Sequence, residues 1–174
     1  MELISRYGLA KTTVEDIAQK AGLKPASVYY YFESKEDIFA AVIRQHAETY
    51  DELVQRAVEG ADTAEDKFVA FMLSRFSYLE ILENVAEPAA VEAYPMAEGV
   101  LREHRSREQD LIEEIFTLGV QRGEFEIEDP GRLAAGLTAA LGAVDHSFVL
   151  SGLPASEEDL RGLLSVFLRG LRKR

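Results

Sequence analysis

Residues 12–37 read TTVEDIAQKAGLKPASVYYYFESKED, and no other stretch limits the fold of this chain so narrowly. Thr12 and Glu15 have the spacing of a capping box, Ile17, Ala18 and Ala21 form an inward stripe, and Gly22 is placed to end the helix. Pro25 then suits the first turn of a second helix, because its fixed φ is helical and its missing N–H has no intrahelical partner there. That helix, residues 25–32, turns Val28 and Phe32 inward and leaves Lys24, Ala26, Ser27, Tyr29 and Tyr30 facing out. Four adjacent aromatics cannot all point into a core, so at least one or two of residues 29–32 must be exposed, and Tyr31 is left between inward packing and outward contact. A third helix follows at once, with Ser34 as N-cap and Asp37 three residues on. Two short helices joined by a tight turn allow the second to lie in a DNA major groove while the first crosses the backbone.

The rest of the chain reads as helix throughout, so the expected fold is all-α with about nine helices. Leu3, Ile4 and Tyr7 have helical spacing before Gly8, and Met1 is expected to begin inside a first helix whose earlier turns are missing. The fourth helix is expected to run unbroken to Glu59, carrying Ile38, Val42, Tyr50, Leu53 and Ala57 on one face. A fifth covers residues 64–84 with Phe68, Phe71, Met72, Phe76, Leu79 and Leu82 on its apolar side. Pro88, Pro95 and Gly99 allow only a short sixth helix. The seventh spans residues 100–122, with Leu111, Ile112, Ile115, Phe116 and Val120 inward and a stop at Gly123. Asp129-Pro130 opens an eighth helix to about residue 150, and Ser156 with Asp159 caps a ninth that reaches about residue 172. Residues 1–45 thus form a helix-turn-helix domain and residues 46–174 a helical body, joined by a continuous helix rather than a flexible linker.

The net charge of −12 argues against a nucleic-acid partner until its distribution is considered. Residues 1–45 hold six basic side chains (Arg6, Lys11, Lys20, Lys24, Lys35 and Arg44) and six acidic ones, so all the excess negative charge lies in the body. An acidic body disfavours wrapping on nucleic acid and leaves one end to make contact. Lys24 breaks a local rule, because a cation is poorly placed at the positive end of a helix and Ser, Thr, Asp or Asn caps better. It is either a lysine facing a phosphate-rich groove or an exposed lysine tolerated in a turn. The absence of cysteine excludes disulfides and thiol chemistry. The apolar run at residues 133–144 is too short to span a bilayer, and a cytoplasmic protein is expected.

Residues 12–37 closely resemble the tetracycline-repressor-like (TetR) family of bacterial transcription regulators. The resemblance is carried by Thr12-Thr13, Ala21-Gly22, Tyr29-Tyr30-Tyr31-Phe32 and Ser34-Lys35-Glu36-Asp37. It implies that Thr13, Tyr29 and Lys35 contact phosphates of double-stranded operator DNA while Lys24, Pro25, Ala26, Ser27 and Tyr30 face base edges. Lys24 and Ala26 replace the Ser and Gly common in the family, which bears on operator choice.

The resemblance further implies a homodimer in which the last two helices pair as a four-helix bundle. The residues fit that reading. Small side chains, among them Ala134, Gly136 and Ala140, lie beside Leu133, Leu137, Leu141 and Val144, while Leu160, Leu163, Leu164, Phe167, Leu168 and Leu171 exceed what one buried stripe needs. A monomer core is the plain alternative. The family also implies a pocket for a small apolar or amphipathic effector, for which Phe71, Met72, Phe76, Tyr78, Tyr94, Met96, Phe116 and Phe148 are candidate lining residues. The expected function is a ligand-responsive regulator, most simply a repressor released from DNA by its effector. The alternative is an all-helical protein-interaction module that keeps the fold without DNA binding. No catalytic residue, cofactor or metal is expected. Asp145, His146 and Ser147 name triad types, but consecutive helical residues point about 100° apart, and no phosphate-binding glycine loop or HExxH motif occurs.

Overall fold

The computed structural model describes residues 11–83, 89–151 and 156–172, with side chains for all of these except 78–98 and 145–151. Seven helices occupy the described residues: α1 (Val14–Lys20), α2 (Pro25–Tyr29), α3 (Lys35–Glu59), α4 (Ala64–Glu83), α5 (Ala89–Gln121), α6 (Pro130–Ser151) and α7 (Glu157–Leu171). The count is two short of the nine expected. The expected first helix lies outside the described residues, and the expected sixth and seventh are one helix, α5. Pro95 forfeits one backbone bond and Gly99 adds flexibility, local costs of about 3 and about 1 kcal/mol. The helix nevertheless runs through both, and it packs along α3, α4 and α6. Tertiary packing of this kind outweighs local propensity.

Two apolar clusters are built on this frame. The small one joins Val14 and Ala18 of α1 to Val28 of α2, with Phe32 and Ile38 half-buried against it. The large one collects Tyr50, Val54 and Val58 from α3, Ala64, Phe68, Phe71 and Met72 from α4, Ile112, Ile115 and Phe116 from α5, Ala134 from α6, and Leu164 and Leu168 from α7. Phe68 is its centre, with ring centroids 5.3 Å from Phe116 and 5.5 Å from Phe167. The inward faces of α3 and α1 include the expected Tyr50 and Ala18 but depart from expectation beside them. Along α3 the buried side chains are Phe39, Ala47, Tyr50, Val54 and Val58, so Leu53 is exposed. In α1 Val14 and Ala18 are buried instead of Ala21.

The segment after α5 ties the body together. Gly123 adopts φ 70°, a conformation that suits glycine and ends the helix. Glu124 Oε2 then accepts from the backbone N–H groups of Ala64 at 2.7 Å and Glu65 at 3.4 Å, so a side chain from one loop caps the start of α4. Glu126 N–H donates to Leu171 O at 2.7 Å, and the Arg172 guanidinium grips Glu65 through two bonds.

The capping boxes make a testable contribution. Hydrogen bonds from the Thr13 and Ser156 hydroxyls, then from the backbone N–H groups of the same residues, hold the Asp16 and Asp159 carboxyls below their ordinary value of 3.8. A carboxyl depressed in the folded state stabilises fully above its unfolded pKa, and that stabilisation fades as pH falls through the folded pKa. The double variant Asp16→Asn, Asp159→Asn is therefore expected to lose less Tm than the parent when the pH is lowered from about 5 to about 2. Equal losses in a circular-dichroism melt would refute this.

Candidate nucleic-acid interface

The interface is assembled around two caps and a left-handed glycine. Thr13, not Thr12, is the N-cap of α1: its hydroxyl accepts from Asp16 N–H at 3.1 Å, while its own N–H and hydroxyl donate to Asp16 Oδ2 at 3.0 and 2.6 Å. The expected Thr12–Glu15 box is thus displaced by one residue, because Val14 must face the small core and Thr12 is itself buried. Gly22, with φ 69°, turns the chain, and Leu23 N–H bonds back to Ala18 O at 2.8 Å. Pro25 opens α2 as expected. Lys24 holds the N-cap position without a side-chain capping bond.

This construction leaves one continuous outer edge. Lys24, Pro25, Ala26, Ser27, Tyr29, Tyr30 and Tyr31 are all exposed, whereas Val28 is buried and Phe32 is half-buried. Tyr30 and Tyr31 are 81% and 76% exposed, with rings edge-to-face at 4.9 Å, which settles Tyr31 as outward. So large an aromatic area in water has no role in the core and is suited to contact with another molecule. Tyr29 is half-exposed, and its hydroxyl donates to Glu15 Oε1 at 3.3 Å. Desolvation, then the charge and hydrogen bond of Glu15, push the phenol above its usual pKa, so it remains a donor. A bond this long on the surface is readily exchanged for a phosphate oxygen. Lys35 is the first residue of α3, behind Ser34, whose hydroxyl accepts from Asp37 N–H at 3.1 Å. Leu23, 54% exposed beside Lys24, also belongs to this edge. Nothing in its residue type marked it, since only the Gly22 turn puts it outside.

The other expected site residues separate into three groups. Phe71, Met72 and Phe116 are buried in the large core, and Phe76 is half-buried. Tyr78, Tyr94, Met96 and Phe148 fall outside the described side chains. Of the expected dimer face, Ala140 and Val144 are exposed, Leu133, Leu137, Leu141, Leu160, Phe167 and Leu171 are half-buried against the core, and Leu164 and Leu168 are only 3% exposed within the single chain. The outer side of α7 instead carries Leu163 and Val166, at 66% and 69% exposure. A shallow groove on the described surface lies between α4 and α7, lined by Val69, Leu164 and Leu168 with Arg161 and Arg169 at its rim. Among the described residues no cluster of metal-ligating side chains occurs, and no helix is long and apolar enough to cross a membrane.

A capped short helix, a glycine turn and an exposed second helix, mounted on the first turn of a 25-residue helix that enters an all-helical body, define a helix-turn-helix regulator architecture. Residues 1–42 match the family model of bacterial regulatory proteins, tetR family. Over 129 residues the chain is 25% identical to the fatty acid metabolism regulator protein of Bacillus subtilis, covering 72% of this chain and 66% of that protein. It is 27% identical to the transcriptional repressor KstR2 of Mycolicibacterium smegmatis, covering 70% and 63%. These matches span just under two thirds of the relatives' own lengths. A transcriptional regulator from Cytophaga hutchinsonii has the same fold, with a TM-score of 0.78 at 22% identity over 99% of this chain and 94% of that one. Residues 1–42 thus carry the helix-turn-helix of the bacterial tetR-family regulators, and the two relatives named here are described as regulators.

Proposed function

We propose that this protein is a cytoplasmic transcription regulator that binds operator DNA through α2 as a homodimer and leaves it when a small apolar or amphipathic effector enters the body. The observation that carries the reading is the exposed edge from Lys24 to Tyr31, which combines a cation, hydroxyls and aromatic faces within a segment that has no net charge in a chain of net charge −12. The apolar outer side of α7 supports the dimer. That helix starts with Glu157, Glu158 and Asp159 and has Arg169 in its last turn, so a two-fold axis setting two copies antiparallel brings each acidic start to the other's basic end. The interface is therefore assigned to Val144, Leu163 and Val166 with the small residues of α6, while Leu164 and Leu168 serve the core. A relative named for fatty acid metabolism supports an amphipathic effector.

A mobility-shift titration against the DNA upstream of the protein's own gene tests the reading. Binding is expected to be sequence-selective and to weaken steeply with salt. Tyr29→Ala and Lys35→Ala should each weaken it, and Lys35→Ala should lower the slope of log K against log salt by about 1. An intact dimer that binds no DNA would sink the proposal and favour the protein-interaction module.

A further inference from the structure

Buried charge collects at one level of the body, away from the helix-turn-helix. Glu108 of α5 is 5% exposed and Arg75 of α4 is 6% exposed, with Arg75 Nε 3.9 Å from Glu108 Oε1. Tyr50 of α3 donates to the same oxygen at 2.8 Å, and His104 Nε2 lies 3.7 Å from it. On the other side of the imidazole, His104 Nδ1 is 2.9 Å from Asp51 Oδ1 at an angle that leaves no hydrogen bond, while Arg107 holds Asp51 Oδ2 at 2.7 Å. The fourth wall is α6. A methyl group added at Gly142 would touch Arg105 Cδ at 3.5 Å, and one at Gly131 would meet the Glu113 carboxylate at 3.1 Å. These contacts set α6 antiparallel to α5 and place Thr138 level with Glu108. Thr138 is 6% exposed, lies on the face that buries Ala134, and its hydroxyl has no hydrogen-bond partner.

Such a cluster is a poor stabiliser, because desolvating the charges costs about what their pairing returns. A buried hydroxyl without a partner is a further cost that a bound group would remove. We infer that this cluster is the polar end of the effector site and takes a carboxylate, with Arg75, Thr138 and His104 as its contacts. The inference rests on the effector reading above. The sign of the ligand follows from what is already committed: Asp51 is held by Arg107, and Glu108 accepts from Tyr50, so a cation would have to displace existing partners. An anion meets a guanidinium, an imidazole and a hydroxyl, all able to donate. It would also compete with Glu108 for Arg75, and Glu108 is the residue through which α5 holds Tyr50 of the helix bearing the DNA reader.

Decanoate, methyl decanoate and decyltrimethylammonium present one chain length with a negative, a neutral and a positive end, and calorimetric titration of the full-length protein compares them. Decanoate is expected to bind at least about tenfold more tightly than either of the others. Thr138→Val, which removes only the hydroxyl, should reduce that advantage about tenfold. The double variant Arg75→Met, Glu108→Gln, chosen to leave no lone buried charge, should abolish it while keeping ester binding. Equal or tighter binding of the ester or the cation, an undiminished advantage in the double variant, or no binding by any probe would each overturn the inference. None of those results would disturb DNA binding measured without probe, on which the regulator reading stands or falls.

Discussion

Replacing Leu163 and Val166 together by aspartate is expected to convert the protein from a dimer to a monomer in sedimentation and to abolish tight operator binding, while the helical signal stays unchanged. Both side chains are more than half exposed in the single chain, so a monomer loses nothing by the change. Across a two-fold axis each substitution counts twice. Removing four apolar side chains from an interface forfeits at least about 4 kcal/mol, a loss of about a thousandfold in the dimer constant. DNA binding falls with it, because two reading helices must be held about one helical turn apart. Leu164→Asp is the contrasting control. Leu164 is 3% exposed and packs in the core formed with α4, so its replacement should unfold the protein rather than merely divide it. A soluble, folded Leu164→Asp monomer beside an intact Leu163→Asp, Val166→Asp dimer would reverse the assignment of the two faces.

Gly119→Ala is expected to lower Tm by about 6–12 °C, although alanine is ordinarily the better helix former. A Cβ at Gly119 would stand 2.1 Å from the Phe125 ring, which is 2% exposed and packs edge-on against Phe116 at 6.3 Å. The ring cannot retreat without leaving the core, and overpacking of this kind costs about 3 kcal/mol. The Gly119 carbonyl also accepts from the N–H groups of Glu124 and Phe125, so displacement of the ring disturbs the segment that caps α4 and bonds to the end of α7. Gly99→Ala in the same helix is the control: nothing stands within 4 Å of its added Cβ, and a gain of about 1 kcal/mol is expected. Similar melting temperatures for the two variants would contradict the packing described for Phe125.

Where elements start and stop was legible because those signals are local. Ser34, Ser156 with Asp159, Pro25, Pro130 and Gly123 all sit where capping and turn chemistry puts them. Which neighbour faces inward was harder. Leu53 and Val54, or Leu163 and Leu164, are adjacent and both apolar, and only the position of the packed partner helix decides between directions about 100° apart. Thr12 and Thr13 pose the same problem in polar form. Pro95 misled for a related reason: the rest of α5 has enough packed length to carry the helix through it. The exposed edge from Lys24 to Tyr31 was visible as a motif, but the Tyr29–Glu15 bond spans 14 residues and the Tyr50–Glu108 bond 58, and no spacing rule reaches that far.

Helix α3 runs without interruption from Lys35, beside the helix-turn-helix, to Glu59 in the body. Tyr50 and Asp51, its polar attachments to α5, lie about 24 Å along the axis from Ser34 at a rise of about 1.5 Å per residue. A stiff rod pivoting there by only about 5° swings its far end by about 2 Å. In a two-fold dimer both ends move, so the separation of the two reading helices changes by up to about 4 Å, more than the length of a hydrogen bond. Under the proposed function no hinge is needed: side-chain rearrangements at Tyr50 would be converted into displacements of the reading helices by leverage alone.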